Sequence, residues 1–278
     1  MNLYESFHLG NTTLKNRIVM APMTRSRAID NIPNDLMKTY YSQRAGAGLI
    51  ISEGTSPSPN GLGYPRIPGA YTPAMVDGWA EIAKGVQANG GKFFVQLMHC
   101  GRITAKENMP ENSTTLAPSA VKADGKMYTD EKGEVKHETP TAMTIEDIER
   151  AQKEFVDCSE NLLRAGVDGV ELHAANGYLL YQFLNPKSNL REDDYGGSFK
   201  NRARFVIETA KKVVSAVGAD KVGMRFSPYG AMNDVNPYFE DLEEMYLYLA
   251  SELRALDIAY VHVVDHREAM GRLILKQI

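Results

Sequence analysis

Short apolar runs alternate along the chain with longer segments of helical periodicity, and this alternation restricts the fold more than any other property of the sequence. Leu49 to Glu53, Lys92 to Leu97, Gly169 to Leu172, Lys221 to Phe226 and Ala259 to Val264 read as strands buried in a parallel sheet. Arg17 to Met20 precedes them as the first strand. Helical patterns lie between, over 35–44, 73–89, 201–217 and 240–256. A further helix opens at Thr144, a suitable N-cap, and places Ile145, Ile148, Ala151, Phe155, Cys158 and Leu162 at helical spacing. Strands joined by crossover helices must run parallel, so the predicted class is α/β, a TIM-type (β/α) barrel.

About six of the eight βα units of such a barrel can be counted, and strands seven and eight are not found. Strands one and six are then expected as open edges through which the chain self-associates. A hairpin is expected over Phe7 to Leu14, turning at Gly10 and Asn11. The rhythm breaks from about Gly101 to Thr144, a polar, turn-rich stretch with alternating pieces around Met127 to Thr129 and Glu134 to Lys136. It reads as a hairpin excursion inserted into a single, incomplete barrel domain covering 1–278.

The formal net charge of -4 leaves no electrostatic footprint for nucleic acid or an anionic membrane. No apolar run is long enough to span a bilayer and the first residues lack a signal-peptide pattern, so a cytoplasmic protein is expected. The two cysteines have no metal-ligand spacing. Cys158 falls on the apolar face of its helix and is expected as a buried reduced thiol. Cys100, in the string around His99, is expected to pack rather than act as a nucleophile.

The chemistry concentrates in the run His173 to Tyr178, which directly follows the strand beginning at Gly169. Catalytic groups of parallel barrels gather at the C-terminal strand ends. There an imidazole (His173) and an amide (Asn176) can hold one anionic oxygen while a phenol (Tyr178) delivers a proton. The same three residues can equally satisfy one another's hydrogen bonds in a packed turn, and both readings stay open on these residues alone.

Two longer strings add context. Asn185 to Phe205 and Arg17 to Arg27 together closely resemble the old yellow enzyme family of FMN-dependent ene-reductases. The resemblance implies that Thr24 bonds the flavin beside its hydride-bearing nitrogen, that Gln96 addresses the pyrimidine edge, and that Arg225 stabilises negative charge on the reduced ring. Backbone contacts are implied near Pro22, Met23 and Gly54. His173 and Asn176 would grip the carbonyl oxygen of an enone or enal, with a hydride reaching the β-carbon from FMN and a proton the α-carbon from Tyr178. NAD(P)H would be the reductant, and no GxGxxG fingerprint is needed for it.

Singly, each assignment has a bland alternative: Thr24 ending a strand, Gln96 capping a loop, Arg225 pairing with a carboxylate. His99 is expected to be structural. Met98 stands where related sequences commonly carry tryptophan, Tyr181 lies at a variable position, and the resemblance is expected to end near Gly271. Without units seven and eight, the phosphate end of FMN would lack its cradle, and weak flavin retention is expected. A noncatalytic relative serving as an interaction module is the alternative. A flavin-independent lyase or hydrolase has no paired carboxylates or metal cluster to support it.

Overall fold

The left-handed φ of 54° at Gly10 closes the first hairpin, pairing β1 (Phe7–Leu9) with β2 (Thr12–Leu14) in antiparallel register. The structure, a computed structural model, describes residues 2–264 and 268–277. Its remaining elements in chain order are β3 (Val19–Met20), α1 (Asp35–Ser42), β4 (Leu49–Ile51), α2 (Pro73–Gln87), β5 (Lys92–Leu97), β6 (Leu116–Ala117), β7 (Lys126–Thr129), β8 (Gly133–Lys136) and β9 (Thr141–Ala142). Then come α3 (Ile145–Arg164), β10 (Gly169–Ala174), α4 (Leu179–Leu184), α5 (Phe199–Val217), β11 (Val222–Phe226), α6 (Leu242–Ala255), β12 (Tyr260–Val263) and α7 (Glu268–Gln277).

Among the described residues the main sheet has six strands in the order β12-β11-β10-β5-β4-β3, every neighbour parallel. It curls as an α/β barrel sheet does, with its helices on the outer face. Side-chain alternation divides the two faces. Val170, Leu172, Val222, Met224, Val95 and Leu97 join the core beneath the helices. On the inner face Leu49, Ile51 and Phe94 form an apolar floor with Tyr260 beside it. Two glycines make room for its rings: a Cβ on Gly169 would lie 2.4 Å from Phe94, and one on Gly223 2.2 Å from Tyr260.

The helices begin where their caps require. Asn34 accepts from the Met37 amide ahead of α1, Thr72 from Met75 ahead of α2, and Thr144 forms a reciprocal capping box with Asp147 ahead of α3. Ile145 departs from its expected place, lying 42% exposed at the first turn of α3 while the other five positions of the stripe are buried. Both cysteines are buried thiols, and Cys158 donates to the carbonyls of Pro57 and Ala70. Desolvation raises the Cys100 thiol far out of the reactive range, in keeping with packing. The excursion carries the β7/β8 hairpin, and β6 pairs with β9 where the segment leaves and rejoins the barrel.

The first strand is shorter than the expected 17–20. The Asn16 side chain accepts from the amides of Ile18 and Gly48, and the Gly48 amide is shared with the Ile18 carbonyl at 2.9 Å. Conversely, β10 runs to Ala174, two residues past its expected end, and His173 therefore projects from the strand itself. No helix of the described residues is long and apolar enough to cross a membrane.

Candidate active site

Parallel register assembles the site in rows. Glu171 sits beside Gln96 on one side and Gly223 on the other, and His173 sits beside Arg225, which is itself beside His262. In the Glu171 row the Gln96 Nε2 donates to Glu171 Oε1 at 2.7 Å, and from the His173 row His262 Nδ1 lies 3.0 Å from Glu171 Oε2. A carboxylate only accepts, so this contact orients the Gln96 amide and leaves its Oε1 and second N–H for another partner. Gln96 thus does not cap a loop. Glu171 is fully buried, and no ion pair joins it to Arg225 among the described residues.

Arg225 has a buried Nε without a hydrogen-bond partner. Burial pulls its pKa down, while the negative charge of Glu171 acts in the opposite sense. A buried cationic N–H lacking an acceptor fits a ligand that brings one. The Ala175 amide donates to His173 Nδ1 at 3.3 Å, which leaves Nε2–H as the imidazole's donor. Burial, Arg225 and His262 together hold the His173 pKa well below the ordinary histidine value, so the ring is neutral.

Asn176 adopts φ 57°, a left-handed conformation that asparagine tolerates. Its backbone N–H donates to Ser227 Oγ at 2.7 Å and its backbone carbonyl accepts from Asn233 Nδ2 at 2.7 Å, clamping the turn from the β11 side. Tyr178, the N-cap residue of α4, is 7% exposed and meets the His173 ring edge-on at 4.9 Å. Its hydroxyl is 3.0 Å from that of Tyr64. Burial first, then Tyr64 and Cys100, raise its pKa well above the usual phenol value and keep the proton on. Among the described residues no hydrogen bond links the side chains of His173, Asn176 and Tyr178, so the self-satisfied turn is not what forms.

Pro22, Met23 and Thr24 follow β3 on an irregular segment, with Met23 60% exposed and Thr24 exposed. Their height is set one residue later, where the Arg25 amide donates to Glu53 Oε2 at 3.0 Å. Glu53 is buried, takes the Tyr41 hydroxyl on its other oxygen, and has its pKa raised by desolvation. Gly54 lies where a Cβ would come within 2.5 Å of the Met98 thioether. Met98 is 1% exposed and fills this space in place of the larger ring expected there. No hydrogen bond joins Thr24 or Gly54 to the His173 group among the described residues. His99 is buried, its Nδ1 accepts from the Gly101 amide, and its Nε2 has no hydrogen-bond partner among the described residues.

Sequence reasoning passed over Glu171, His262, Glu53 and Tyr64. Glu171 had a signal, being two residues before His173 on the same face of a strand. The others meet the site only through sheet register or packing.

A neutral imidazole donor, a side-chain amide and a protonated phenol stand at the C-terminal end of a parallel barrel sheet, beside an oriented amide and a guanidinium whose Nε has no partner among the described residues. The set offers donors for an anionic oxygen, together with one amide whose acceptor and second N–H are not taken up by Glu171. The chain belongs to the NADH:flavin oxidoreductase / NADH oxidase family, whose sequence pattern matches residues 2–275, past the expected limit near Gly271. It is 36% identical over 273 residues to 12-oxophytodienoate reductase 7 of Oryza sativa subsp. japonica, covering 95% of this chain and 69% of that one. It is 40% identical over 281 residues to chanoclavine-I aldehyde reductase fgaOx3 of Penicillium roqueforti, covering 97% and 71%. Morphinone reductase in complex with tetrahydroNAD superposes with a TM-score of 0.94 at 37% identity, over 100% of this chain and 78% of that one. The protein is an FMN-dependent oxidoreductase scaffold of the old yellow enzyme type, reducing the C=C bond of α,β-unsaturated carbonyl compounds with NAD(P)H.

Proposed function

We propose that His173 and Asn176 hold the carbonyl oxygen of an α,β-unsaturated aldehyde or ketone, and that Tyr178 donates the proton to its α-carbon. Pro22, Met23, Thr24, Gly54, Gln96 and Arg225 hold FMN in this reading. The observation that carries it is the protonation pattern: His173 is neutral with Nε2–H as its donor, and the adjoining Tyr178 is kept protonated. Two donors on one oxygen draw charge toward it and make the β-carbon electrophilic. Bound FMN would supply the hydride chemistry, with NAD(P)H as the reductant. Arg225 would stabilise negative charge on the reduced flavin, and Gln96, oriented by Glu171, would address its pyrimidine edge. All these groups come from one domain, with 101–144 folded as an excursion of it.

The Tyr178→Phe variant tests the assignment, since it removes a proton donor and leaves the flavin contacts in place. Stopped-flow measurement should show flavin reduction by NAD(P)H nearly unchanged and alkene reduction slowed about 10²-fold or more. Equal loss of both half-reactions would refute the donor role.

A groove of about 530 Å³ runs between the free edges of β3 and β12, lined by Leu14, Val19, Leu49, Ile51, Tyr260 and Val261 among others. Sheet edges that pair with no other strand among the described residues, flanking apolar surface, support self-association through this face. Sedimentation of a single species at monomer mass across micromolar concentrations would count against it.

A further inference from the structure

We propose that Tyr64 is the proton conduit of this site, its hydroxyl passing a proton to Tyr178 as Tyr178 gives its own to the substrate. The inference rests on the reading of Tyr178 as the α-carbon's proton donor. Tyr178 is nearly buried in a cluster with Leu62, Ile67, Met98 and Cys100, where a phenolate left after each turnover would be costly. A route for resupply is built in. The two hydroxyls are 3.0 Å apart and the rings meet edge-on at 6.2 Å, so the bond is held from both sides. Tyr64 is half-buried, so part of its side chain meets solvent where Tyr178 is nearly buried.

Its loop is tied in place by Asn108, whose Nδ2 donates to the carbonyls of Gly63 and Tyr128, each at 2.9 Å, linking it to the β7 strand of the excursion. The acid strengths run in the useful direction. The shared hydrogen bond raises the Tyr178 pKa and lowers that of Tyr64, which burial pushes up to about 12. The Asn233 side chain lowers both. Of the two oxygens, Tyr64 is the better place for transient negative charge.

The transfers balance. As the enol(ate) electron pair forms the α-carbon C–H bond, the Tyr178 O–H bond breaks. The Tyr64 proton re-forms it, and the Tyr64 oxygen takes a proton from water, whose hydroxide is neutralised by the buffer. Each turnover then consumes one solvent proton and one hydride, as reduction of a C=C bond requires.

The test begins without turnover. In protein labelled with ¹³C at tyrosine Cζ, the deuterium isotope shift reports exchange of the Tyr178 hydroxyl proton with solvent. Tyr64→Phe should slow that exchange about tenfold or more, because the intermediate proton carrier is gone. Tyr71→Phe, which alters a half-buried phenol packed on the same cluster, should leave it unchanged. In the alkene half-reaction the proton inventory should be curved for the unaltered protein and linear for Tyr64→Phe, two protons in flight becoming one. Unchanged or faster exchange in Tyr64→Phe overturns the conduit while a slow Tyr178→Phe keeps the donor reading. Undiminished alkene reduction in Tyr178→Phe overturns the donor reading, and with it the conduit's catalytic role, even where the exchange slows.

Discussion

Replacing Glu171 by alanine should be among the most damaging single changes in the barrel interior, and glutamine should be far milder. Glu171 is fully buried and receives Gln96 Nε2 at 2.7 Å, with His262 Nδ1 at 3.0 Å from its second oxygen. Alanine strands both groups, leaves a cavity, and removes the negative charge nearest Arg225. Breaking a buried charged contact by deleting one partner costs roughly 3–5 kcal/mol. Glutamine keeps the volume, still accepts from Gln96, and can face His262 with its amide once that ring presents Nδ1 as an acceptor. Losing charge assistance alone costs about 1–2 kcal/mol. Urea denaturation followed by circular dichroism separates these values, with the midpoint falling and the slope constant. A second readout is flavin: with its orienting acceptor gone, Gln96 can flip, and FMN affinity measured by fluorescence quenching should fall for alanine more than for glutamine. An alanine variant within about 0.5 kcal/mol of the parent, the spread of ordinary surface changes, would refute the reasoning. So would glutamine and alanine variants of equal stability.

Arg225→Met should lower the reduction potential of bound FMN by roughly 30–60 mV, the equivalent of one charge-assisted bond of 1.5–3 kcal/mol spread over two electrons. An unchanged potential in a variant that holds flavin would make Arg225 structural only. Acid should destabilise the fold below about pH 6.5, where the unfolded chain takes up protons that folded His173 and His99 refuse. Burial lowers both pKa values, that of His99 to about 3, so their stabilisation is complete above the unfolded value and lost as pH falls through the window below it. Each contributes up to about 1.4 kcal/mol per pH unit there, and His99→Gln should show a shallower fall in denaturation midpoints than the parent.

Local periodicity carried much of the architecture. The run Lys92 to Leu97 is β5 to the residue, Thr144 caps α3, and both hairpins lie where turn residues interrupt alternating segments. A strand repeat of two and a helix repeat of 3.6 are properties of neighbouring residues, so a linear reading captures them. The same reading placed His173, Asn176 and Tyr178 together because they share one strand end. What it did not reach depends on neighbours distant in sequence. Asn16 reaches the Gly48 amide, Glu171 finds His262 two strands away, and the Tyr178 hydroxyl meets that of Tyr64 across 114 positions. The charge states follow from the same source. The Ala175 amide sets the His173 tautomer, but burial makes that ring neutral and the Tyr178 phenol a retained acid, and burial exists only once segments distant in sequence have packed around them.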